Sequence, residues 1–157
     1  MEIGPAPDGN ETAPQTESEV KFVSFYLGEN LYAIHAPAVA EVTQPLPVTQ
    51  LPGTAGELRG ISSLRGDIVA KVDIKQLVDE TSRSTTQKGK TLVLKSVERD
   101  DTPIAFDVDK LGEIVTLPVN ELRKVTGRND KCLFGESTLD ARSYLVIDHT
   151  KLLSALS

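Results

Sequence analysis

From residue 20 onward, short apolar stretches alternate with short segments rich in Gly, Pro and polar residues. Valine, isoleucine, leucine and aromatic residues dominate the apolar stretches, a composition typical of β-strands bounded by turns. The pattern therefore predicts an all-β domain. The predicted strands are 20–28, 30–34, 66–74, 90–97, 103–109, 112–119 and 142–148.

Helical signals in the sequence are short. Pro37 is well placed to open a helix, since proline fits the first helical position. Asp73 and Asp148 each precede a short apolar pattern and are predicted to be helix N-caps. The segment "QPLPVTQLPG", residues 44–53, must be extended or turning because it contains three prolines. The predicted helices are 35–42, 74–80 and 149–157.

The second half of the chain repeats the first. "YAIHAPAVAEV" (32–42) matches "IAFDVDKLGEI" (104–114) at an offset of 72, and "LRGISSL" (58–64) matches "LFGESTL" (133–139) at an offset of 75. Two shorter matches keep the same order, "LPV" at 46–48 and 117–119, and "VDIKQLV" with "IDHTKLL" at 72–78 and 147–153. Four ordered matches indicate an internal duplication. Each copy has enough strands for a small SH3-like barrel, and we expect two such lobes to pack together around a groove.

Charge is distributed unevenly along the 157 residues, whose net charge is −6. Residues 1–19 contain five of the 23 acidic residues and no Lys or Arg, which leaves 18 acidic against 17 basic residues in the rest. We predict that 1–19 is a disordered acidic tail, either a solubilising lead or a hook for a partner. Residues 20–157 are predicted to form the folded domain.

Composition excludes several classes of partner and location. The chain has no basic stripe, and its seven aromatic residues are scattered, so nucleic acid is not an expected partner. No apolar run approaches the roughly 18 residues of a membrane span, and no export signal is present, so we expect no direct membrane insertion. The single cysteine, Cys132, agrees with a reducing cytoplasm.

Residues that could carry catalysis or bind a metal do not cluster. His35 and His149 lack a second His or Cys at metal-ligand spacing, so we expect structural or surface roles, no metal site and no cofactor. Cys132 is expected to fill space in the core, because no partner base accompanies it. Asp107 and Asp109 alternate on one strand and therefore share a face. The sequence predicts a binding protein rather than an enzyme.

Arginine precedes glycine twice in "LRGISSLRG", at Arg59 and Arg65, on either side of what we interpret as a small polar turn. The second copy has Phe134 and Asp140 at the corresponding positions, so both arginines belong to the first copy only. Arg65 either forms a structural ion pair with a nearby acid or is held at the surface to bind the carboxylate or carbonyl groups of a partner. We prefer the second interpretation. The nearby acids are Glu57 and Asp67.

Residues 21–157 resemble the CheW-type coupling proteins of bacterial chemotaxis. The resemblance rests on four ordered segments, "YAI…VAEV", "VTQLPG…LRGISSLRGDIVAKVDIKQLV", "IAFDVDKLGEI" and "LFGESTLDARSYLVIDHTKLL". It implies a fold of two intertwined five-stranded SH3-like β-barrels with short helices. It also implies a non-enzymatic cytoplasmic adaptor associated with membrane receptor arrays. The implied partners are the regulatory domain of a CheA-type histidine kinase and the cytoplasmic tip of methyl-accepting chemoreceptors.

The resemblance further implies two binding surfaces. The receptor-binding residues carried over by position are Val39, Glu41 and Arg65, and the kinase-binding residues are Gly60, Ser62 and Leu64. The chain departs from the family pattern at Ala70-Lys71, where the family often has a proline before the last hydrophobic-x-Asp of the strand. The alternative function is a freestanding regulatory module with the same fold that binds another protein or a small ligand outside chemotaxis.

Overall fold

A computed structural model describes residues 19–52, 58–81, 89–95, 102–125 and 131–154 of the chain. Within these segments the chain forms ten strands, two short α-helices and two 3-10 turns. The strands are β1 (Glu19–Leu27), β2 (Asn30–His35), β3 (Val39–Thr43), β4 (Leu58–Leu64), β5 (Asp67–Val72), β6 (Lys90–Leu94), β7 (Ile104–Val108), β8 (Lys110–Pro118), β9 (Leu133–Leu139) and β10 (Arg142–Ile147). The helices are α1 (Ile74–Leu77) and α2 (His149–Ser154), and the 3-10 turns are Ala36–Ala38 and Val119–Glu121.

The strands form two five-stranded sheets, and the chain passes from one to the other and back. Lobe 1 has the order β8-β1-β2-β10-β9, and lobe 2 has the order β3-β6-β7-β5-β4. Each strand of one lobe corresponds to the strand five places away in the other. The first copy of the repeat, β1–β5, therefore gives its β1–β2 hairpin to lobe 1, and the second copy gives its β6–β7 hairpin to lobe 2. The predicted duplication into two intertwined five-stranded units is confirmed.

The buried apolar residues form three layers, one between the two sheets and one inside each lobe. The central layer lies between the sheets and includes the rings of Phe25 and Tyr32 from lobe 1 and of Phe106 from lobe 2. Phe25 lies 5.9 Å from Tyr32 and 5.7 Å from Phe106 between ring centroids. A second layer fills lobe 1, and a third, smaller one fills lobe 2. The buried members of the second and third layers are Phe22, Ala33, Leu117, Tyr144 and Val146, and then Val69, Val93 and Ala105.

Each lobe is partly closed by one bridge between its edges. In lobe 2, Thr49 pairs with Ile61 of β4, and in lobe 1, Arg123 pairs with Glu136 of β9. Gly60 and Gly135 lie beside these bridges with φ of 150° and 152°, a region that favours glycine. A Cβ on Gly60 would lie 2.3 Å from the Thr49 carbonyl oxygen, so the duplicated glycine is required where the crossing segment approaches the strand.

Two local predictions were wrong. Only Ala36–Ala38 of the predicted helix 35–42 is helical, as a 3-10 turn with Pro37 in its first turn, and β3 begins at Val39. The β-branched residues that follow pair with β6 instead, with Val42 opposite Leu92. The segment "GISS" is not a turn but the middle of β4, and the tight turn comes later, at Arg65-Gly66, where both residues have positive φ.

The two predicted helix caps are confirmed, whereas β9 (Leu133–Leu139) was not predicted as a strand. Asp73 accepts a hydrogen bond from the Gln76 amide at 3.4 Å, and Asp148 accepts one from the Lys151 amide at 3.2 Å, so both act as the predicted caps. The predicted tail 1–19 lies outside the described residues, apart from Glu19, which begins β1. The predicted helix 149–157 is described only as far as Ser154.

Candidate functional site

An extended segment, Gln44–Leu51, crosses over β4 of lobe 2, and we call it the strap. Hydrogen bonds from lobe 2 hold its backbone at three residues, Leu46, Pro47 and Thr49. The Lys71 ammonium donates to the Leu46 carbonyl at 3.1 Å, and the Ser62 hydroxyl donates to the Pro47 carbonyl at 2.7 Å. Thr49 exchanges two backbone hydrogen bonds with Ile61, at 2.8 and 2.9 Å. The strap therefore covers the face of β4 that it crosses.

The predicted kinase-binding residues lie beneath this strap. Gly60 is buried against Thr49, and Ser62 is 4% exposed. Leu64 is half-buried and, together with Leu46, packs against the apolar layer of lobe 2. The structure thus brings Gly60, Ser62 and Leu64 together, but it places the strap between the first two and solvent. Their role in kinase binding stays a prediction.

Two of the three predicted receptor-binding residues are in direct contact. Arg65 sits in the tight turn between β4 and β5, and its guanidinium donates to both carboxylate oxygens of Glu41 on β3, with Nη1 at 2.6 Å from Oε1. The Arg65 side chain is 71% exposed and that of Glu41 is 23% exposed. The hydrogen bond from Arg65 lowers the pKa of Glu41, and the same bond raises the pKa of Arg65.

The ion-pair partner of Arg65 is not one of the acids close to it in sequence. It is Glu41, 24 residues earlier, rather than Asp67. Glu57 lies outside the described residues. Val39 is half-buried and packs against the central apolar layer between the sheets. The structure therefore joins Glu41 and Arg65 at the surface and leaves Val39 half-buried against the central layer.

Lobe 2 contains a buried charge that was not predicted from the sequence. The Lys71 side chain is fully buried, and its ammonium lies 2.8 Å from Oδ1 of Asp107. The Thr91 hydroxyl donates to the same oxygen at 2.5 Å, and Arg59 reaches Oδ2 of Asp107 at 4.0 Å from the surface. A lysine in a strand is normally predicted to be exposed. The feature of the sequence that pointed to an unusual residue here was the departure from the family pattern at Ala70-Lys71.

A second polar cluster joins the lobes. Asp109 accepts a hydrogen bond from the Gly28 amide at 2.5 Å and lies 3.1 Å from the Lys75 ammonium. Glu80 accepts hydrogen bonds from the Tyr32 hydroxyl at 2.5 Å and from the Asn30 amide at 3.0 and 3.1 Å. These two acids hold the β1–β2 hairpin of lobe 1 against the end of β7 and the segment after α1.

An open cavity of about 420 Å³ lies at this end of lobe 2. Asp107 and Asp109 both line it, which confirms that they share a face. The other lining residues are Arg59, Val72, Asp73, Ile74 and Lys75. Each of its three acids already has a donor from the protein: Asp73 has the Gln76 amide, Asp107 has Lys71 and Asp109 has Lys75.

The histidines form a pair at the corresponding end of lobe 1. The rings of His35 and His149 stack with centroids 5.7 Å apart, and Phe22 contacts His35 edge-on at 6.0 Å. Burial, and then the proximity of His35, lower the pKa of His149 against an opposing effect of Asp148. Cys132 is fully buried in the central layer, which confirms its predicted space-filling role.

The described segments contain neither a metal-binding cluster nor a membrane-spanning helix. No group of three or more His, Cys, Asp or Glu side chains within them is arranged to hold a metal ion. None of their helices has the length and apolar character needed to cross a membrane.

Comparison with known proteins identifies the family. Proteins named "Chemotaxis protein CheW" match at 23% identity over 109 residues in Helicobacter pylori (69% of this chain, 64% of that protein), at 23% over 146 residues in Treponema pallidum (88% and 85%), and at 25% over 139 residues in Klebsiella aerogenes (86% and 82%). The crystal structure of scaffolding protein TtCheW from Thermoanaerobacter tengcongensis has the same fold, with a TM-score of 0.70 at 24% identity, covering 82% of this chain and 88% of that one. The family described as CheW-like domain matches residues 21–157, and the chain therefore belongs to it.

Proposed function

We propose that this chain is a non-enzymatic adaptor of a chemotaxis or related motility pathway. It couples the regulatory domain of a CheA-type histidine kinase to the cytoplasmic tip of methyl-accepting chemoreceptors, and it acts in the cytoplasm at membrane receptor arrays. Membership in the CheW-like family across 21–157 supports this role, as do the names of its relatives.

The Glu41–Arg65 pair is the observation that carries the proposal, because the fold does not need it. In lobe 1 the equivalent turn, Asp140-Ala141, also has positive φ at both residues, 51° and 65°, without an arginine. A surface ion pair between exposed groups contributes little to stability. Arg65 is therefore available to a partner, and Glu41 holds its guanidinium in one orientation. A planar guanidinium held in this way suits a carboxylate or backbone carbonyls of a receptor helix.

The two proposed surfaces occupy different parts of lobe 2. The proposed receptor surface is built on Glu41 and Arg65 and includes the half-buried Val39 on the same strand as Glu41. The kinase surface is built on Gly60, Ser62 and Leu64 and includes the strap above them. The two surfaces adjoin, because Arg65 directly follows Leu64 and the strap begins three residues after Glu41.

Coupling through such an adaptor needs no tight pairwise contact. Each interface can be at or below the standard size of about 800 Å² per partner. Repetition of these contacts in an array raises the effective concentration of every component, so that the assembly is firm although each contact is weak.

Calorimetric titration tests the proposal, using the kinase regulatory domain and a receptor tip fragment from the same organism. We expect saturable binding in the micromolar range, about −8 kcal/mol. Arg65→Ala is expected to weaken receptor-tip binding at least about tenfold, which corresponds to about 1.4 kcal/mol of binding free energy. Its melting temperature and kinase binding should be unchanged.

Arg142→Ala is the matched control, since Arg142 is an exposed arginine beside the equivalent turn of lobe 1. Equal losses for both arginine variants would mean that the receptor responds to net charge rather than to the Arg65 site. No binding of wild-type protein to either partner would contradict the proposal and favour a regulatory module outside chemotaxis.

A further inference from the structure

The two lobes have side chains of different chemistry at three equivalent positions. Strand pairing places Lys71 opposite Gly60 in lobe 2 and Val146 opposite Gly135 in lobe 1. It likewise places Thr91 opposite Asp107 in lobe 2 and Phe22 opposite His35 in lobe 1. Lobe 1 therefore has Val, Phe and His where lobe 2 has Lys, Thr and Asp. The fold itself can be built with an apolar side chain at the lysine position.

The buried ammonium of Lys71, which pairs with the 39% exposed side chain of Asp107, is not required by the fold. Taking a charge out of water is costly, and an apolar residue of similar volume often stabilises a protein as well or better. Besides Asp107, the Lys71 ammonium donates to the Leu46 carbonyl of the strap.

The strap depends on such contacts because of its composition. Pro45 and Pro47 have no amide hydrogen, so a regular ladder with β4 is impossible there. In this part of the strap the backbone is held through its carbonyl oxygens, by Lys71 at Leu46 and by Ser62 at Pro47. The Lys71 bond is the charged one, and charge-assisted hydrogen bonds are about twice as strong as neutral ones.

We propose that Lys71 is a positioning residue for kinase binding: its buried ammonium, oriented by Asp107, fixes the strap at Leu46 in the position that the kinase regulatory domain contacts. The inference rests on the proposed function for the identity of the partner. The predicted kinase-binding residues Gly60 and Ser62 lie under the strap, so the surface presented above them is the strap itself. Its exposed residues are Gln44, Pro45, Pro47, Thr49, Gln50 and Leu51.

Amide hydrogen exchange tests the positioning without any partner. The amides of Thr49 and Ile61 report whether the strap is docked, and the amides of Arg123 and Glu136 in the equivalent bridge of lobe 1 serve as an internal reference. Lys71→Met keeps most of the buried volume and removes the charge together with the hydrogen bonds to Leu46 and Asp107. We expect exchange at Thr49 and Ile61 to accelerate at least about tenfold relative to the reference amides, the effect of losing one hydrogen bond to a charged group.

Thr91→Val is the matched control, because it removes the other hydrogen bond to Oδ1 of Asp107 and leaves the contact between Lys71 and Leu46 in place. Its strap amides should exchange as in the wild type. Unchanged strap exchange in Lys71→Met, or equal acceleration in Thr91→Val, would overturn the positioning role. If Lys71→Met does not fold, Lys71→Met/Asp107→Asn removes both charges and decides the question in the same way.

The proposed link between strap position and kinase binding is tested by measuring affinity for the kinase regulatory domain. We expect Lys71→Met to weaken it at least about threefold with an unchanged melting temperature, because the partner must then order the strap. A loosened strap with unchanged kinase affinity would overturn the link to binding. Wild-type protein that binds no kinase domain would overturn the proposed function and this link together, while the exchange data would still decide how the strap is held.

Discussion

Replacing Gly60 by alanine separates the role of this residue in the fold from its predicted role in kinase binding. Gly60 has φ of 150° on β4, and a Cβ there would lie 2.3 Å from the Thr49 oxygen and 2.9 Å from both the Thr49 carbonyl carbon and Val48 Cγ1. Two of these atoms belong to the backbone and cannot move aside by changing a rotamer. The strap must therefore shift away from β4.

The expected loss of stability has two parts. A non-glycine residue in this backbone region costs about 1–3 kcal/mol. Displacement of the strap breaks the two hydrogen bonds between Thr49 and Ile61, at about 1 kcal/mol each. The sum, about 3–5 kcal/mol, is a large part of the 5–15 kcal/mol typical of a domain. For a chain of this length it lowers the melting temperature by roughly 6–20 °C.

Urea unfolding of Gly60→Ala and Gly66→Ala measures this difference. Gly66 also has positive φ, at 86°, but an added Cβ meets nothing within 4 Å. Its substitution should cost only the conformational strain, about 1–2 kcal/mol. If Gly60→Ala is no more destabilising than Gly66→Ala, the close approach of the strap to β4 does not exist in solution, and the description of the kinase surface fails with it.

Two further variants test other parts of the structure. The pKa of His149 is lowered in the folded state, so the unfolded chain takes up the proton first, and stability should decline as pH falls below about 6.5, the ordinary value. His149→Phe should reduce this decline in urea midpoints measured between pH 8 and pH 5.5, and an identical decline in both proteins would exclude His149 as its source. Tyr32→Phe removes the hydroxyl that donates to the buried Glu80 carboxylate and should lower the free energy of unfolding by about 1.5–3 kcal/mol. No change in urea unfolding would mean that this contact between the lobes is not formed in solution.

Most of the strands and the duplication could be predicted from the sequence because their signals are local, whereas β3, β4 and β9 were not predicted. Apolar runs between turn residues mark the strands, and matched segments at offsets of 71 to 75 mark the two copies. The exchange of hairpins between lobes has no such signal. A hairpin of one copy presents nearly the same pattern as that of the other, so it can pair within its own copy or with the other copy. Only the resemblance to a family implied which of these occurs.

The side-chain partners could not be predicted for a related reason. Arg65 was expected to find an acid close in sequence, but β3 runs beside the β4–β5 turn and presents Glu41 instead. Lys71 was not considered as a buried residue at all, because a lysine in a strand is most often exposed. In both cases the deciding contact joins residues more than 20 positions apart, and only the strand order brings them together.

Comparison of the two copies separates residues that build this fold from residues that are free to serve recognition. Gly60 and Gly135 share one backbone conformation, and Asp73 and Asp148 cap equivalent helices, so these residues are kept in both copies by the same structural need. Arg65 has no such constraint, since an aspartate occupies the equivalent turn without changing its shape. Because the scaffold is built twice, one lobe serves as a control for the other: where one lobe folds without a side chain that the other lobe has, the fold does not require that side chain. By this criterion Arg65 and Lys71 are the residues of lobe 2 that we propose for contact with a partner and for positioning of the strap.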